Sequence, residues 1–324
     1  MLVDGNSLTL ESFKSIVLGN EKVTLCPEAK KKLIKSRAVV EKAAQQDEKV
    51  YSINTGFGVL SKVKIDKDQL EQLQVNLIRS HCVGVGELHS EVESRAILLL
   101  RTNVLAKGFS GARPELVELC IEMLNRGIHP IIPSKGSVGA SGDLAPLAHL
   151  ASVMIGEGEA YFQGKRMKGG EALQVAGLRP IKLAAKEGLS LINGTQQMTA
   201  VGALTLLRAE ETMDLADLIC SASLDGVLGT PKAYADWVQQ TRPFPGQIQT
   251  AKLLRNFMEG SEIYQSHENC DRVQDPYSFR CAPQVHGGVR ELLTFVRHML
   301  SIELNAATDN PLVNAETGEL VSNG

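Results

Sequence analysis

The residues most able to do chemistry lie in a glycine-rich stretch, GSVGASGD (136–143), which directly precedes an apolar run. Glycine is concentrated where a backbone bends tightly or where another group approaches it closely. The glycine spacing fits neither phosphate-loop pattern, and Asp143 stands where a G-x-S-x-G serine nucleophile would need glycine. Two interpretations remain: a tight turn in which Ser141 or Asp143 caps the following helix, or chemistry of the backbone itself.

The backbone chemistry open to this stretch is a ring closure. The amide nitrogen of Gly142 can attack the carbonyl carbon of Ala140, because glycine has no Cβ to obstruct the bend. Loss of water from Ser141 then leaves an exocyclic C=CH₂ group. The product is an electrophile, which no ordinary side chain supplies.

Helical periodicity dominates the elements that must position this stretch. Arg113-Pro114 opens one predicted helix and Gly127 closes it. A longer amphipathic pattern covers 284–304, with Arg290, Thr294, Arg297 and Ser301 opposite its apolar positions, and is typical of a bundle helix. Further helices are predicted near 28–46, 66–80, 90–107 and 195–220, and a hairpin is predicted at 160–167.

Composition excludes several classes of partner. The chain of 324 residues is 43% hydrophobic and 22% charged, with a net charge of −3 that argues against nucleic acid and membrane surfaces. The six cysteines are scattered without a C-x-x-C pair and the seven histidines form no H-x-x-x-H pair, so we expect a reduced, cytoplasmic protein without a metal. We expect a loop-rich region over 1–194 and the start of a helical bundle over 195–324, without a clear linker.

Five blocks in order along the chain carry a family resemblance: YSINTGFG, GSVGASGDLAPLAHLA, INGTQ, QDPYSFRCAPQVHG and NAATDNPLV. Together they closely resemble the aromatic amino acid ammonia-lyases. The resemblance implies that Ala140-Ser141-Gly142 forms 4-methylideneimidazol-5-one (MIO), without a metal or a dissociable cofactor. It also implies the mainly α fold of the fumarase/aspartase-like superfamily, in which a loop-rich N-terminal region carries the MIO site and a long-helix bundle follows, and a cytoplasmic homotetramer.

The substrate is indicated by Ser80-His81. Family members that act on histidine carry Ser-His at this dipeptide, whereas phenylalanine-specific members typically carry Phe-Leu and tyrosine-specific ones His-Leu. An imidazole ring needs a polar partner, which His81 can be. The implied reaction is removal of ammonia from L-histidine to give trans-urocanate, the first step of histidine degradation. The alternatives are a lyase or aminomutase for another aromatic amino acid, and an inactive form that acts only in assembly.

The resemblance also implies roles for individual side chains. Tyr51 would abstract a proton, Arg280 would pair with the substrate carboxylate, and Tyr277 would place a hydroxyl near the amino group. The amides of Asn193 and Gln274 would hydrogen-bond the MIO carbonyl region and the carboxylate. Asp143 is expected to be a structural helix cap.

Family members are longer than this chain, so we expect a C-terminally truncated form. Residues that contribute to the family's site lie beyond the equivalent of Gly324. The helix at 284–304 is then expected to show an apolar face without a partner in the chain, and such a face favours association.

Overall fold

The structure is a computed structural model that describes residues 1–46, 50, 53–56, 65, 69–139 and 142–322. Helices predominate, so the predicted mainly α class is confirmed. The chain divides into two compact units, one of residues 1–202 with 301–324 and one of residues 203–300. The predicted boundary at 194/195 stays a prediction. Within the described residues, no helix is long and apolar enough to cross a membrane.

The first unit contains short strands and packed helices. In chain order its elements are β1 (Leu2–Val3), α1 (Leu10–Val17), β2 (Thr24–Leu25), α2 (Pro27–Gln45), α3 (Leu70–His81), β3 (Val85–Leu88), α4 (Glu91–Ala106), α5 (Pro114–Arg126), β4 (His129–Pro130), β5 (Pro133–Lys135), α6 (Leu144–Met154), β6 (Glu159–Phe162), β7 (Lys165–Lys168), α7 (Gly169–Val175) and α8 (Glu187–Ile192). Helix α9 (Gln196–Gly226) begins in this unit, and the strands β8 (Leu312–Val313) and β9 (Leu320–Val321) belong to it.

Local sequence signals account for several of these elements. Helix α5 begins with Pro114 at its first turn and ends at Gly127, whose φ of +73° is left-handed, as predicted. Strands β6 and β7 form the predicted hairpin, with Gln163 at φ +50° and Gly164 at φ +72° in the two-residue turn. Strand β4 pairs antiparallel with β6 to complete a small sheet.

Helix α4 is the central helix of the first unit, because all its residues from Ser94 to Ala106 are buried. A helix buried on every side must satisfy its polar side chains from within the protein. Arg95 and Arg101 therefore both donate to main-chain carbonyls of other elements.

The second unit is a set of helices around a small hydrophobic core. Its elements are the greater part of α9, a 3₁₀ turn (Pro231–Tyr234), α10 (Asp236–Gln240), α11 (Pro245–Met258), α12 (Glu262–Ser266), α13 (Tyr277–Arg280) and α14 (Ala282–Glu303). The core residues are Leu224, Tyr234, Ala251, Leu254, Met258 and Ala282. Tyr234 also donates its hydroxyl to the Phe279 carbonyl at 2.9 Å, which anchors α13 to this core.

Helix α14 turns its polar side toward α9. Arg290 pairs with Asp214 at 2.9 Å and with Asp217 at 2.5 Å, and Arg297 pairs with Glu210 at 2.8 Å. Its apolar side is exposed, with Leu292 and Phe295 each 61% accessible. The exposed large apolar side chains of this helix are Val285, Val289, Leu292, Phe295, Met299 and Ile302. The predicted apolar face is confirmed for the described residues.

Candidate active site

The glycine-rich stretch adopts a backbone that requires glycine at its end. Ala140 and Ser141 lie outside the described residues, whereas Gly139 has a φ of +68° and Gly142 a φ of +97°. A Cβ added at Gly142 would lie 2.4 Å from the Gly194 carbonyl oxygen and 2.5 Å from its nitrogen. The two peptides are therefore in direct contact, and no side chain fits between them.

Gly194 belongs to the INGTQ segment, which joins α8 to α9. A Cβ at Gly194 would lie 2.3 Å from Gln196 Oε1 and 2.6 Å from Arg101 Nη1, so this glycine is also enclosed. Asn193, a predicted site residue, is buried at the end of α8, and its carbonyl oxygen accepts from Arg101 Nη1 at 2.7 Å. The structure thus brings Asn193 and Gly142 to the two sides of Gly194.

Arg101 is a residue of this site that sequence reasoning missed. Its guanidinium donates to the carbonyls of Ser190 and Asn193 and, at 2.6 Å, to Gln196 Oε1. Burial lowers the pKa of Arg101 to about 10, so the group remains a cation at neutral pH. The available signal was an arginine inside the apolar run AILLLRTNVLA, where a charge needs partners.

Asp143 is a helix cap, but for a different helix from the one expected. It stands at the start of α6 without a side-chain hydrogen bond to that helix. Its carboxylate instead accepts from the main-chain N–H groups of Gln197 at 2.9 Å and Met198 at 3.0 Å, at the start of α9, and from Ser137 Oγ at 2.5 Å. Its own N–H donates to the Gly194 carbonyl at 2.7 Å. The expectation that it caps the helix that follows is wrong, because the chain bends back and presents the carboxylate to α9.

His81 is the last residue of α3 and lies one residue beyond the predicted end of that helix. The α-helical bonding of α3 continues to Cys82, whose N–H donates to the Ile78 carbonyl at 3.1 Å. His81 Nδ1 lies 2.9 Å from the Leu77 carbonyl oxygen and 3.0 Å from Ser80 Oγ. Because a carbonyl oxygen only accepts, Nδ1 carries the proton in the neutral ring, and Nε2 is the nitrogen that can accept a hydrogen bond.

The segment after His81 lies against the start of the glycine-rich stretch. Strands β3 and β5 pair antiparallel, with Val85 opposite Lys135. A Cβ at Gly136 would lie 3.2 Å from Gly84 Cα, and the Gly84 N–H donates to His149 Nε2 at 3.1 Å. Thus the segments that follow α3, β5 and α8 meet within the first unit.

The QDPYSFR segment is built within the second unit around Asp275, which is buried and accepts from the Thr230 N–H at 2.7 Å. Arg280 Nε donates to the Asp275 carbonyl at 2.9 Å, and its Cζ lies 5.5 Å from the centre of the Tyr277 ring. Tyr277 is 73% exposed and Gln274 is exposed as well. The carbonyl contact holds Arg280 by one nitrogen, while the two terminal nitrogens are the pair suited to a carboxylate.

The predicted site residues thus fall into three groups. His81, Gly142 and Asn193 belong to the first unit, and Gln274, Tyr277 and Arg280 belong to the second. Tyr51, Ala140 and Ser141 lie outside the described residues.

Comparison with known proteins gives a match along nearly the whole chain. A family model described as aromatic amino acid lyase matches residues 8–324. Histidine ammonia-lyase of Myxococcus xanthus (strain DK1622) is 52% identical over 324 residues, which are 100% of this chain and 64% of that protein. The chain therefore spans less than two thirds of the length of this relative.

Two solved structures resemble the fold closely. Histidine ammonia-lyase from Trypanosoma cruzi has a TM-score of 0.89 at 40% identity, and the match covers 100% of this chain and 60% of that one. The ergothioneine-degrading enzyme Ergothionase from Treponema denticola has a TM-score of 0.94 at 33% identity and is covered to 65%, again with 100% of this chain.

Proposed function

Because the chain belongs to the aromatic amino acid lyase family, we propose that it is part of an enzyme that removes ammonia from L-histidine to give trans-urocanate. The observation that carries the proposal is the 52% identity with a histidine ammonia-lyase over all 324 residues. The side chain of His81 supports histidine as the substrate, since its Nε2 can accept a hydrogen bond from an imidazole N–H.

We propose that Ala140-Ser141-Gly142 forms the MIO group. The described backbone fits such a group, because Gly142 has a φ of +97° and lies against Gly194 with no room for a Cβ. When formed, MIO supplies an electrophilic alkene for the substrate amino group. The remaining chemistry then falls to side chains that bind the substrate, orient it and move a proton.

The binding roles follow from the donors that the described side chains present. Arg280 is proposed to bind the substrate carboxylate through its two terminal nitrogens, because its Nε is held by the Asp275 carbonyl. Gln274 is proposed to add a hydrogen bond to that carboxylate, and Asn193 one to the MIO carbonyl region. The exposed hydroxyl of Tyr277 is proposed to lie near the amino group.

Tyr51 is proposed to abstract the β-proton of the substrate. A free phenol has a pKa of about 10 and is a weak base at neutral pH. A neighbouring positive charge favours the phenolate and would make the proton transfer possible.

The homotetramer and the cytoplasmic location are also proposals. The apolar face of α14 supports association, because large exposed apolar patches mark interaction surfaces. The six cysteines, all free thiols, support a reducing compartment.

The test compares product formation from histidine, phenylalanine and tyrosine, measured as urocanate, cinnamate and coumarate. We expect urocanate, and we expect Arg280→Lys to raise KM for histidine by about 10- to 100-fold, since a bidentate charged contact is lost. Arg272→Lys is the matched control, because Arg272 lies two residues before this segment and its guanidinium bonds the Val227 carbonyl at 2.9 Å and Asp275 Oδ1 at 3.3 Å.

Three results would refute parts of this proposal. A preference for phenylalanine or tyrosine would overturn the substrate, and a β-amino acid product would indicate an aminomutase. An intact mass without the loss of two water molecules would overturn MIO formation and favour a role in assembly alone.

A further inference from the structure

We propose that Arg101 is a positioning residue for ring closure at Ala140-Ser141-Gly142, acting through the Gly194 peptide. This inference rests on the proposed function, since it concerns the formation of the MIO group. It assigns a function to a buried cation that the substrate chemistry does not use.

Arg101 holds together the end of one helix and the start of the next. The Ser190 and Asn193 carbonyls belong to the last turn of α8, and Gln196 is the first residue of α9. A cation is favourable at a helix C-terminus, where carbonyl groups have no partner within the helix. The planar guanidinium donates to three acceptors from two nitrogens. A lysine ammonium has a single nitrogen and cannot reproduce this arrangement of donors.

The turn that Arg101 holds is the surface on which Gly142 rests. Gly194 is confined on one side by the Arg101 guanidinium, since a Cβ there would lie 2.6 Å from Nη1. On its other side the Gly194 carbonyl accepts the Asp143 N–H at 2.7 Å. Movement of Gly194 therefore moves the peptide that keeps Gly142 in its left-handed conformation.

Ring closure depends on that conformation. The Gly142 nitrogen forms a bond to the Ala140 carbonyl carbon, and its proton passes to the former carbonyl oxygen. The resulting hydroxyl leaves with the Ser141 N–H proton as the first water, which creates a C=N bond. The second water takes the Ser141 hydroxyl and the Cα proton, which creates the C=CH₂ group. The attack that leads to the first loss requires a bent backbone, and a fixed geometry can accelerate such an intramolecular attack by orders of magnitude.

The test follows the mass of the tryptic peptide Gly136–Lys165. The full chain is made by pulsed cell-free synthesis as wild type, Arg101→Met and Arg101→Lys. We expect the wild-type peptide to become lighter by two water molecules, the Met variant to keep its full mass, and the Lys variant to react at least about 10-fold more slowly. The Lys variant retains the charge but not the planar set of donors.

Arg95→Met and Arg95→Lys are the matched controls. Arg95 is buried on the same helix and donates to main-chain carbonyls, to Ile16 at 2.8 Å and to Leu124 at 2.5 Å, but it does not contact the turn at Gly194. We expect the Arg95 variants to lose stability in urea to a similar degree and yet to react at the wild-type rate. The peptide is taken only from folded protein separated by size exclusion, so that a failure to fold is not counted as a failure to react.

The outcomes separate the two proposals. If folded Arg101→Met loses both waters at the wild-type rate, the positioning role is overturned. If Arg101→Met does not fold, the positioning role is overturned when folded Arg101→Lys loses both waters at the wild-type rate. If the Arg95 variants are slowed as much as those at Arg101, the effect is one of stability alone. If the wild type itself keeps its full mass, it is the proposed MIO chemistry that fails.

Discussion

Replacement of Asp143 tests the connection between the glycine-rich stretch and α9. The carboxylate is fully buried and accepts three hydrogen bonds, from the N–H groups of Gln197 and Met198 and from Ser137 Oγ. Asp143→Ala removes both oxygens, whereas Asp143→Asn keeps one oxygen for the N–H groups and an amide that can donate to the Ser137 hydroxyl.

The magnitudes follow from these contacts. Loss of an ordinary N-terminal cap costs about 0.5–2 kcal/mol, and a buried N–H group without an acceptor costs about 1–3 kcal/mol. Since two N–H groups are affected, we expect Asp143→Ala to lower the free energy of unfolding by about 2–5 kcal/mol. For Asp143→Asn we expect a loss of about 1–2 kcal/mol. The hydrogen bonds remain, but the negative charge that strengthens them and that interacts favourably with the dipole of α9 is lost.

The assay is urea unfolding combined with native-state hydrogen exchange at the Gln197 and Met198 amides. Protection at these two amides should fall about 10-fold for each 1.4 kcal/mol of local stability lost. Ser90→Ala is the control, because Ser90 caps α4 at an exposed position and its loss should cost only about 0.5–1 kcal/mol. Equal losses for Asp143→Ala, Asp143→Asn and Ser90→Ala, with unchanged exchange at both amides, would refute the reasoning.

Three further predictions concern single features of the first unit. Gly142→Ala should destabilise by about 2–4 kcal/mol, since it adds a steric overlap to an unfavourable φ. Gly139→Ala, whose Cβ would have no atom of the described residues within 4 Å, should cost only about 1 kcal/mol in urea unfolding. Burial and the nearby charge of Arg95 lower the pKa of His129 to about 4, from an unfolded value of 6.5, so the unfolded state takes up a proton first as the pH falls. The free energy of unfolding therefore falls as the pH drops through this range. His129→Gln should reduce the slope of that fall by about 1.4 kcal/mol per pH unit. Lys186→Met should destabilise by about 3–5 kcal/mol because it leaves the Asp309 carboxylate buried without its cation, and Lys186→Met combined with Asp309→Leu should cost less in the same assay.

Much of the fold could be predicted because its signals are local. The proline and glycine at the ends of α5 and the Gln163-Gly164 turn each act within a few residues of where they stand. The apolar period of α14 likewise predicted the helix. The predicted end of α3 near residue 80 is one residue short, because the glycines after His81 indicate a loop whereas the helix includes the histidine.

The supporting contacts of the site could not be predicted in this way. The hydrogen bond from Arg101 to Asn193 joins residues 92 positions apart, and the bond from Gln197 to Asp143 joins residues 54 positions apart. No periodicity or local motif encodes which distant backbone groups a buried charge will meet. The family resemblance led to the prediction of Asn193 but gave no indication of the arginine that contacts its carbonyl.

Asp143 and Arg101 both bond main-chain groups around the turn that joins α8 to α9. Asp143 binds the main-chain N–H groups of Gln197 and Met198, and Arg101 binds the main-chain oxygens of Ser190 and Asn193. Every amino acid except proline offers the same N–H group, and every one offers the same oxygen. The course of the polypeptide here is thus set largely by two charged residues from outside the turn, and Gly194 and Gln196 are the turn positions whose own residue type these contacts fix.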